Sequence, residues 1–435
     1  GIPTMLGMMV NAIYNLVDAY FVGGLGTSQM GAISVVYPLG QVVVGLGLLF
    51  GNGAASYLSR LLGNGDKEKA DKVASTALYS SITVGAIMII FSVIFLQPIL
   101  KLLGATDSIM PYAITYASIY IVSCIFNVFN VTMNNIVTSE GAAKTTMLAL
   151  MAGAILNIGL DPVFIYVLDM GVAGAAIATA ISQIVSTLVY LTFVLRKKSV
   201  YNFKIKNCTF TKEIMSEIFK IGIPTLVFQI LTSLSISLVN TQARPYGDSV
   251  IAGMGAVTRV VSMGSLMVFG FIKGFQPIAG YSYGAKKFDR LHEAIKTSII
   301  WSTVFCVIYG LVLTVFSKGI ISQFTKGDLE MIRVGTQSLR INGISFILFG
   351  FYTVYSSLFL ALGKGLAGFI LGACRQGICF VPVILILPMF WGINGILYVQ
   401  PIADVLSAII TIFMALHLHQ ELDVTKQKFL SEKAG

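Results

Sequence analysis

Apolar runs of about 18 residues or more, each bounded by polar residues or glycine, recur along the whole chain, and a run of that length is what an α-helix needs to cross the hydrocarbon of a bilayer. No soluble arrangement buries so many. Of the 435 residues 56% are hydrophobic and only 11% charged, against roughly 25% charged in an ordinary soluble domain. The sequence is therefore that of an all-α polytopic membrane protein, which excludes a soluble enzyme, a disulfide-stapled secreted domain and a nucleic-acid binder. A net charge of +10 does not reopen the last class, because the lysines and arginines fall between apolar runs and build no basic face. Cys124, Cys208, Cys306, Cys374 and Cys379 are odd in number and lack Cys-x-x-Cys spacing, so they read as packing residues. The chain opens with Gly1-Ile2-Pro3-Thr4 inside an apolar segment and without an initiator Met. No cleavable signal peptide is visible there, and a short native N-terminus is expected to precede it.

Polar punctuation divides the chain into twelve expected spans, at about 1–24, 29–59, 73–100, 109–138, 144–168, 171–195, 221–245, 250–281, 294–317, 330–358, 366–389 and 393–418. Several exceed the bilayer minimum, which implies tilt or kinks. Bends are expected at Pro38, Pro162, Pro245, Pro277, Pro382 and Pro388. Basic residues orient the stack. With the N-terminus inside, twenty lie on the inner side: Arg60, Lys67, Lys69 and Lys72, Lys144, seven between Arg196 and Lys220, Lys286, Lys287, Arg290 and Lys296, Lys364, and Lys426, Lys428 and Lys433. Five lie outside (Lys101, Arg244, Lys318, Lys326, Arg333), and Arg259, Lys273, Arg340 and Arg375 fall within spans. Both termini are thus expected to be cytoplasmic.

Sliding the sequence along itself by 221 positions aligns its halves almost without gaps. Gly1-Ile2-Pro3-Thr4 meets Gly222-Ile223-Pro224-Thr225, Gly26 and Ser28 meet Gly247 and Ser249, Gly53 meets Gly274, Gly63 meets Gly284, and Gly171 and Gly174 meet Gly392 and Gly395. Six spans per unit is an even number, so the copies face the same way about an axis along the membrane normal. The expected organisation is two parallel six-helix bundles related by pseudo-twofold symmetry: an N-terminal lobe at 1–195, a cytoplasmic linker at 196–220, a C-terminal lobe at 221–418 and a cytoplasmic tail at 419–435. Such a bundle pair suits alternating access to a site near mid-membrane.

Three motifs sharpen this reading: Leu16-Val17-Asp18-Ala19-Tyr20-Phe21-Val22-Gly23 in span 1, Gly171-Val172-Ala173-Gly174-Ala175-Ala176-Ile177-Ala178-Thr179 entering span 6, and the run from Gly274 to Lys287 (GFQPIAGYSYGAKK) leaving span 8. With them the chain resembles, over almost its whole length, the MATE family of multidrug and toxic-compound extrusion transporters. The likeness is strongest to the bacterial branch of DinF-like and MepA-like exporters.

Among the acidic residues, Asp18, Asp161 and Asp404 sit well inside spans, where a charge costs about 2.5 to 3.5 kcal/mol even on the lenient insertion scale. Spans 1 and 5 run in the same direction, and Asp18 and Asp161 each lie about 17 residues from the cytoplasmic start, so a rise of about 1.5 Å per residue puts them at one depth. Thr179, about eight residues below the outer end of span 6, reaches the same level, and Asn157 is one turn deeper than Asp161 on the same helix face. Two carboxylates, an amide and a hydroxyl form a hard oxygen cluster that suits Na+ or protons. The resemblance implies that these four residues are the cation-coupling site of the N-terminal lobe. A different reading of Asp161 has it satisfying backbone groups freed by Pro162. For Asp404, Arg375 on the adjacent span favours a structural ion pair over a coupling role. Acidic residues that some family members carry in span 7 are absent, and the positions expected to face the cleft there read Gln229, Thr232, Ser233 and Asn240 instead, which puts a cation site in the second lobe out of expectation.

Asn11, Tyr14, Tyr37, Asn134 and Gln229 would line a weakly polar cavity for flat organic cations, and Met254, Met263 and Met267 would add soft, adaptable surface. Each of these also fits a plain packing role. Gly45, Gly47, Gly51 and Gly53 read as close helix contacts. His292, His417 and His419 fall in expected cytoplasmic segments, and His417-Leu418-His419 reads as a solvated span end rather than a metal site. No P-loop, H-E-x-x-H or G-x-S-x-G pattern occurs, so neither catalysis nor ATP hydrolysis has candidate residues.

The expected function is secondary antiport, with no cofactor: export of cationic amphipathic drugs in exchange for Na+ or H+ across a bacterial cell membrane, a route to antibiotic resistance. Expected partners are small organic cations and the lipid bilayer, with no nucleic acid, and the working unit is expected to be a monomer. The runner-up is a lipid-linked precursor flippase of the same superfamily, which would call for a wider cationic cleft and additional spans.

Overall fold

The computed structural model describes the backbone of residues 2–435 except 64, 285 and 363. Side chains are described except at 1–5, 56, 59, 60, 63, 64, 273, 274, 276, 277, 280, 281, 284, 285, 360, 361, 363 and 365. Lys273, the Gly1–Thr4 repeat match and much of the Gly274–Lys287 motif therefore lie outside the described side chains.

Helices carry the chain: α1 (Ile2–Gly23), α2 (Thr27–Gly63), α3 (Lys67–Ile94), α4 (Leu96–Leu102), α5 (Met110–Ser139), α6 (Ala143–Pro162), α7 (Val172–Leu195), α8 (Lys212–Ala243), α9 (Asp248–Gly284), α10 (Phe288–Val315), α11 (Ser317–Ser322), α12 (Leu329–Ser345), α13 (Phe349–Ala361), α14 (Gly365–Ala373), α15 (Phe380–Trp391), α16 (Ile393–Leu397) and α17 (Val399–Ala434). Eleven helical stretches among the described residues are long and apolar enough to cross a membrane, and α1, at 22 residues, supplies the first expected span. Helix is the form that hydrocarbon demands, since it pairs backbone groups within one segment.

The repeat is visible in the backbone. The short helices α4 and α11 begin at Leu96 and Ser317, one repeat apart. Gly171 and Gly392 open α7 and α16 with the same left-handed conformation, φ +61° in each. A side chain at either position would strain that turn.

By contact the described residues form two compact units, one of Ile2–Ala256 with Ser322–Ile332 and one of Val257–Ile321 with Arg333–Gly435. In the first unit α2 is central. Where it crosses α8 the two backbones touch: a Cβ at Gly53 would lie 2.2 Å from the Ile218 carbonyl oxygen, and one at Gly222 would lie 2.0 Å from that of Leu49. Gly45 meets Gln229 and Leu226, and Gly47 meets Val131 of α5, as expected of small residues at membrane helix crossings.

Pro38 sits inside α2 and donates no hydrogen bond, which orphans the carbonyl of Ser34 four residues back. Asn240 of α8 supplies the missing donor at 2.9 Å, and Ser233 donates to the Pro38 carbonyl at 2.6 Å. Two polar residues of span 7 are thereby structural. Pro162 is followed by a π-turn at Val163–Val167, and a second π-turn, Cys374–Ile378, precedes Pro382. Another break, the 3-10 turn Phe346–Leu348 between α12 and α13, has no proline in it.

The segment expected as a linker is docked. Tyr201 and Phe203 are buried in a cluster to which α2, α3, α5, α6, α7 and α8 all contribute. Ser75 donates to the Asn202 carbonyl, Tyr79 to that of Phe203, and the Thr209 amide donates to Thr76. In the second unit the segment expected as a tail continues α17 as helix. It is joined to α10 by Lys426–Asp289 and to Lys364 by Glu421. His419, expected to be solvated, bonds the Tyr355 hydroxyl at 2.8 Å and stacks on His292.

At the opposite helix ends of the first unit, two carboxylates collect hydroxyl donors. Asp248 accepts from Ser28, Thr106 and Ser108. Asp328 accepts from Thr27 and Ser249 and caps α12 through the Met331 amide. Partial burial works against ionisation of Asp328, but the Thr27 hydroxyl, the Met331 amide and the Ser249 hydroxyl outweigh it and hold its pKa below the ordinary 3.8. A depressed folded-state value adds stability above the unfolded pKa that is lost as pH falls through the folded one. The thermal-stability advantage of the native chain over Asp328→Asn should accordingly be constant from pH 7 to about pH 5 and shrink below about pH 4. Melting the two proteins across that range checks it, and an advantage that grows on acidification would contradict it.

Candidate functional site

Parallel packing of α1 and α6 sets the first coordinate of the site. Near their starts Gly7 lies against Leu150, and near their ends the Tyr166 hydroxyl donates to the Phe21 carbonyl. The offset that pairs Gly7 with Leu150 also pairs Asp18 with Asp161, and these two carboxyl groups face one another within side-chain interaction range. Antiparallel packing of α6 on α7 sets the second. Ser186 donates to the Ala149 carbonyl at 2.8 Å, Gly153 fits against Ser186 and Ser182, and Gly174 abuts Phe164 and Ile165. Continuing that register places Thr179 level with the turn from Asn157 to Asp161.

All four side chains are withdrawn from solvent: Asn157 and Asp161 have no exposed surface, and Asp18 and Thr179 keep 8% and 6%. Both oxygens of Asp161 and both polar atoms of the Asn157 carboxamide lack a partner of full hydrogen-bond geometry. Asp161 thus does not satisfy backbone groups freed by Pro162. An uncompensated buried polar group costs about 1–3 kcal/mol, and more when charged. Gathered oxygens without donors are what a desolvated monovalent cation or a shared proton would satisfy.

Aromatic hydroxyls border this cluster. Tyr14, one turn before Asp18 on α1, lies within electrostatic reach of Asp18, Asp161 and Tyr37. Tyr120 of α5 joins Tyr14 and Tyr37 and fits its hydroxyl against Gly40 of α2. Sequence reasoning passed over Tyr120, although Tyr116, Tyr120 and Cys124 at intervals of four on span 4 mark one helix face. Tyr116 and Tyr120 stack at 5.5 Å.

The other expected cavity residues have individual neighbours. The Asn11 carbonyl accepts from Asn15, Asn134 lies near the Tyr190 hydroxyl of α7, and Gln229 packs its stem on Gly45. Met254 is buried in the first unit, whereas Met263 and Met267 belong to the second.

Asp404, in the second unit, is fully engaged. Its Oδ1 accepts from Arg375 Nε at 2.8 Å and Gln400 Nε2 at 2.9 Å, and its Oδ2 accepts from Ser345 at 2.9 Å. The guanidinium lies 4.7 Å above the Phe349 ring, a cation-π contact. This is the ion pair expected from the spacing of spans 11 and 12.

Comparison with known proteins agrees with the helical fold and its internal repeat. The MatE family model matches residues 3–163 and again 224–386, once in each repeat. A multidrug export protein MepA of Staphylococcus saprophyticus is 31% identical over 432 residues, covering 99% of this chain and 95% of that protein. A solved inward-facing conformation of a multidrug resistance MATE family transporter of the MOP superfamily superposes with a TM-score of 0.91 at 26% identity, covering 98% of each chain. An outward-facing conformation of such a transporter superposes at 0.77, also at 26% identity, covering 97% of this chain and 95% of that one.

Stability measurements test the cluster independently of transport. Asp161→Asn removes an unsatisfied carboxyl and should leave the melting temperature in detergent unchanged or raised. A loss exceeding about 2 kcal/mol, the range for deleting a well-partnered buried polar group, would show that Asp161 has a structural partner.

Proposed function

This chain belongs to the MATE family, and on that premise we propose that it is a secondary antiporter that exports cationic, amphipathic compounds in exchange for inward-moving Na+ or H+ by alternating access. The observation that carries the reading is the facing pair Asp18 and Asp161, buried at one depth with the partnerless carboxamide of Asn157 and level with Thr179. An intramembrane carboxylate marks an ion or substrate path, and two together are satisfied by one cation or one proton.

Both termini are cytoplasmic in this reading and the protein sits in a bacterial cell membrane, supported by twenty basic residues on one side against five on the other. The Asp248 and Asp328 hydroxyl clusters then lie at the extracellular ends of the helices. Each ties first-repeat residues (Ser28, Thr106 and Ser108, or Thr27) to second-repeat ones. These bonds part when the outer side opens and re-form when it closes.

Ion entering from outside takes the oxygens of Asp18, Asn157, Asp161 and Thr179. Tyr14 and Tyr37, beside those carboxylates, offer aromatic faces to an organic cation, so ion and drug compete for the same negative charge. Linkage makes the competition reciprocal: the ion lowers drug affinity by the factor by which the drug lowers ion affinity. Monovalent ions of one kind are the second cargo, and the gradient that carries them supplies the energy.

In proteoliposomes, uphill efflux of a fluorescent organic cation should follow either an imposed Na+ gradient at fixed pH or a pH gradient without Na+, and whichever drives it names the ion. Asp18→Asn and Asp161→Asn should each abolish gradient-driven efflux at near-normal expression. Full transport by both variants would overturn the assignment, and movement of lipid-linked precursors instead of organic cations would favour a flippase.

A further inference from the structure

The repeat puts two of the helices of each polar cluster in corresponding places, spans 5 and 6 in the first half and 11 and 12 in the second, and the states of the clusters are opposite. An offset of 221 carries Thr179 onto Gln400, and spans 5 and 6 onto spans 11 and 12. In the first half, Asn157 and Asp161 are left with partnerless atoms. The equivalents of Asn157 and Asp161 are Ile378 and Pro382, so the oxygens have moved: Asp404 stands one turn beyond Gln400 on α17, and Ser345 reaches it from α12. Carboxylate, carboxamide and hydroxyl recur there, but the site is filled. Arg375, brought inward on the π-turn Cys374–Ile378, sets its Nε 2.8 Å from Asp404 Oδ1. Arg375 and Asp404 keep only 8% and 5% of their surface exposed.

We propose that the second half carries its cation in covalent form: the Arg375 guanidinium occupies the cation place of an oxygen cluster made by Asp404, Gln400 and Ser345, leaving the Asp18–Asp161 cluster as the exchangeable one. The inference rests on the reading of that first-half cluster as a cation site. A guanidinium suits the role because it keeps its charge at every relevant pH and is more weakly hydrated than an ammonium. Phe349 supports its face and Asp404 its edge. A tethered cation neutralises the buried carboxylate without being exchanged, so one half of a duplicated transporter couples while the other holds its helices together. The consequence is a single coupling cation per cycle.

Chemical replacement of the tethered group tests this. Asp161→Asn is made first, so that no cation response arises from the first half, and Arg375→Ala is added to leave a guanidinium-sized space beside Asp404. Purified protein is melted in choline chloride, in sodium chloride and in choline chloride with millimolar methylguanidinium. The double variant should melt well below Asp161→Asn in choline and recover by several degrees with methylguanidinium, and to a lesser degree with Na+, as a ligand that binds only the folded state requires. Adding Asp404→Asn should restore stability in choline and remove the cation response.

If Arg375→Ala folds only when methylguanidinium or Na+ is present during purification, the proposal is supported in its strongest form. A double variant that fails in every medium, or that melts alike in all three, overturns it, as does a cation response surviving Asp404→Asn. Failure here is separable from failure of the proposed function, because the gradient-driven efflux of the native chain and its loss in Asp18→Asn are both read with Arg375 in place.

Discussion

Hydrocarbon offers no water to a polar group, and nearly every feature of this chain answers to that constraint. Backbone groups are paired along helices. The carbonyl that Pro38 orphans is met by Asn240, and many membrane-depth hydroxyls turn back onto their own helix, as Thr132, Ser182 and Thr411 do. Outside the Asp18–Asp161 cluster, the buried polar atoms left without partners among the described residues are single hydroxyls, of Ser80, Ser282, Ser302, Thr336 and Ser407. Among the described residues, Asp161 and Asn157, one turn apart on α6, hold carboxyl and carboxamide atoms without a hydrogen-bond partner. Such a defect in a fold so thorough elsewhere is the observation on which the proposed cation site rests.

The same constraint explains the difference between the halves. One sequence was doubled, and both copies kept the glycine-turned entries at Gly171 and Gly392 and the short helices α4 and α11. Their polar interiors diverged. A buried carboxylate needs a counter-charge or a proton; the second half meets the demand with the Arg375 side chain, and in the first half no side chain of opposite charge does so for Asp161.

Much of this was legible in the sequence, for physical reasons. Helices in lipid must be long and apolar, so the spans stand out. Each residue adds a fixed rise, so counting from the span starts put Asp18 and Asp161 level before any packing was known, and the register of α1 on α6 has them facing. The Arg375–Asp404 pair was legible by the same counting. Other features depend on neighbours that no local pattern reports. Asn240 reads as a cleft-lining amide until the carbonyl behind Pro38 is placed beside it. The run from Arg196 to Lys220 reads as a solvated linker because its lysines outnumber Tyr201 and Phe203, the two residues that anchor it. The break at Phe346–Leu348 has no proline to announce it, and the hydroxyl clusters around Asp248 and Asp328 join loops distant in sequence. Tyr120 was within reach of periodicity, but an aromatic in a membrane span is so often packing that its place beside Tyr14 and Tyr37 became plain only in three dimensions.

The central claim is that two carboxyl groups in the first half accept one kind of cargo at a time. Its most direct test is the equilibrium affinity of the purified protein for a fluorescent organic cation, titrated with Na+ at fixed pH and then with protons in the absence of Na+. The account predicts that one of the two titrants weakens binding to a saturating limit, and that this dependence vanishes in both Asp18→Asn and Asp161→Asn. An affinity indifferent to both titrants in the native protein, or a dependence that survives in both variants, would contradict it.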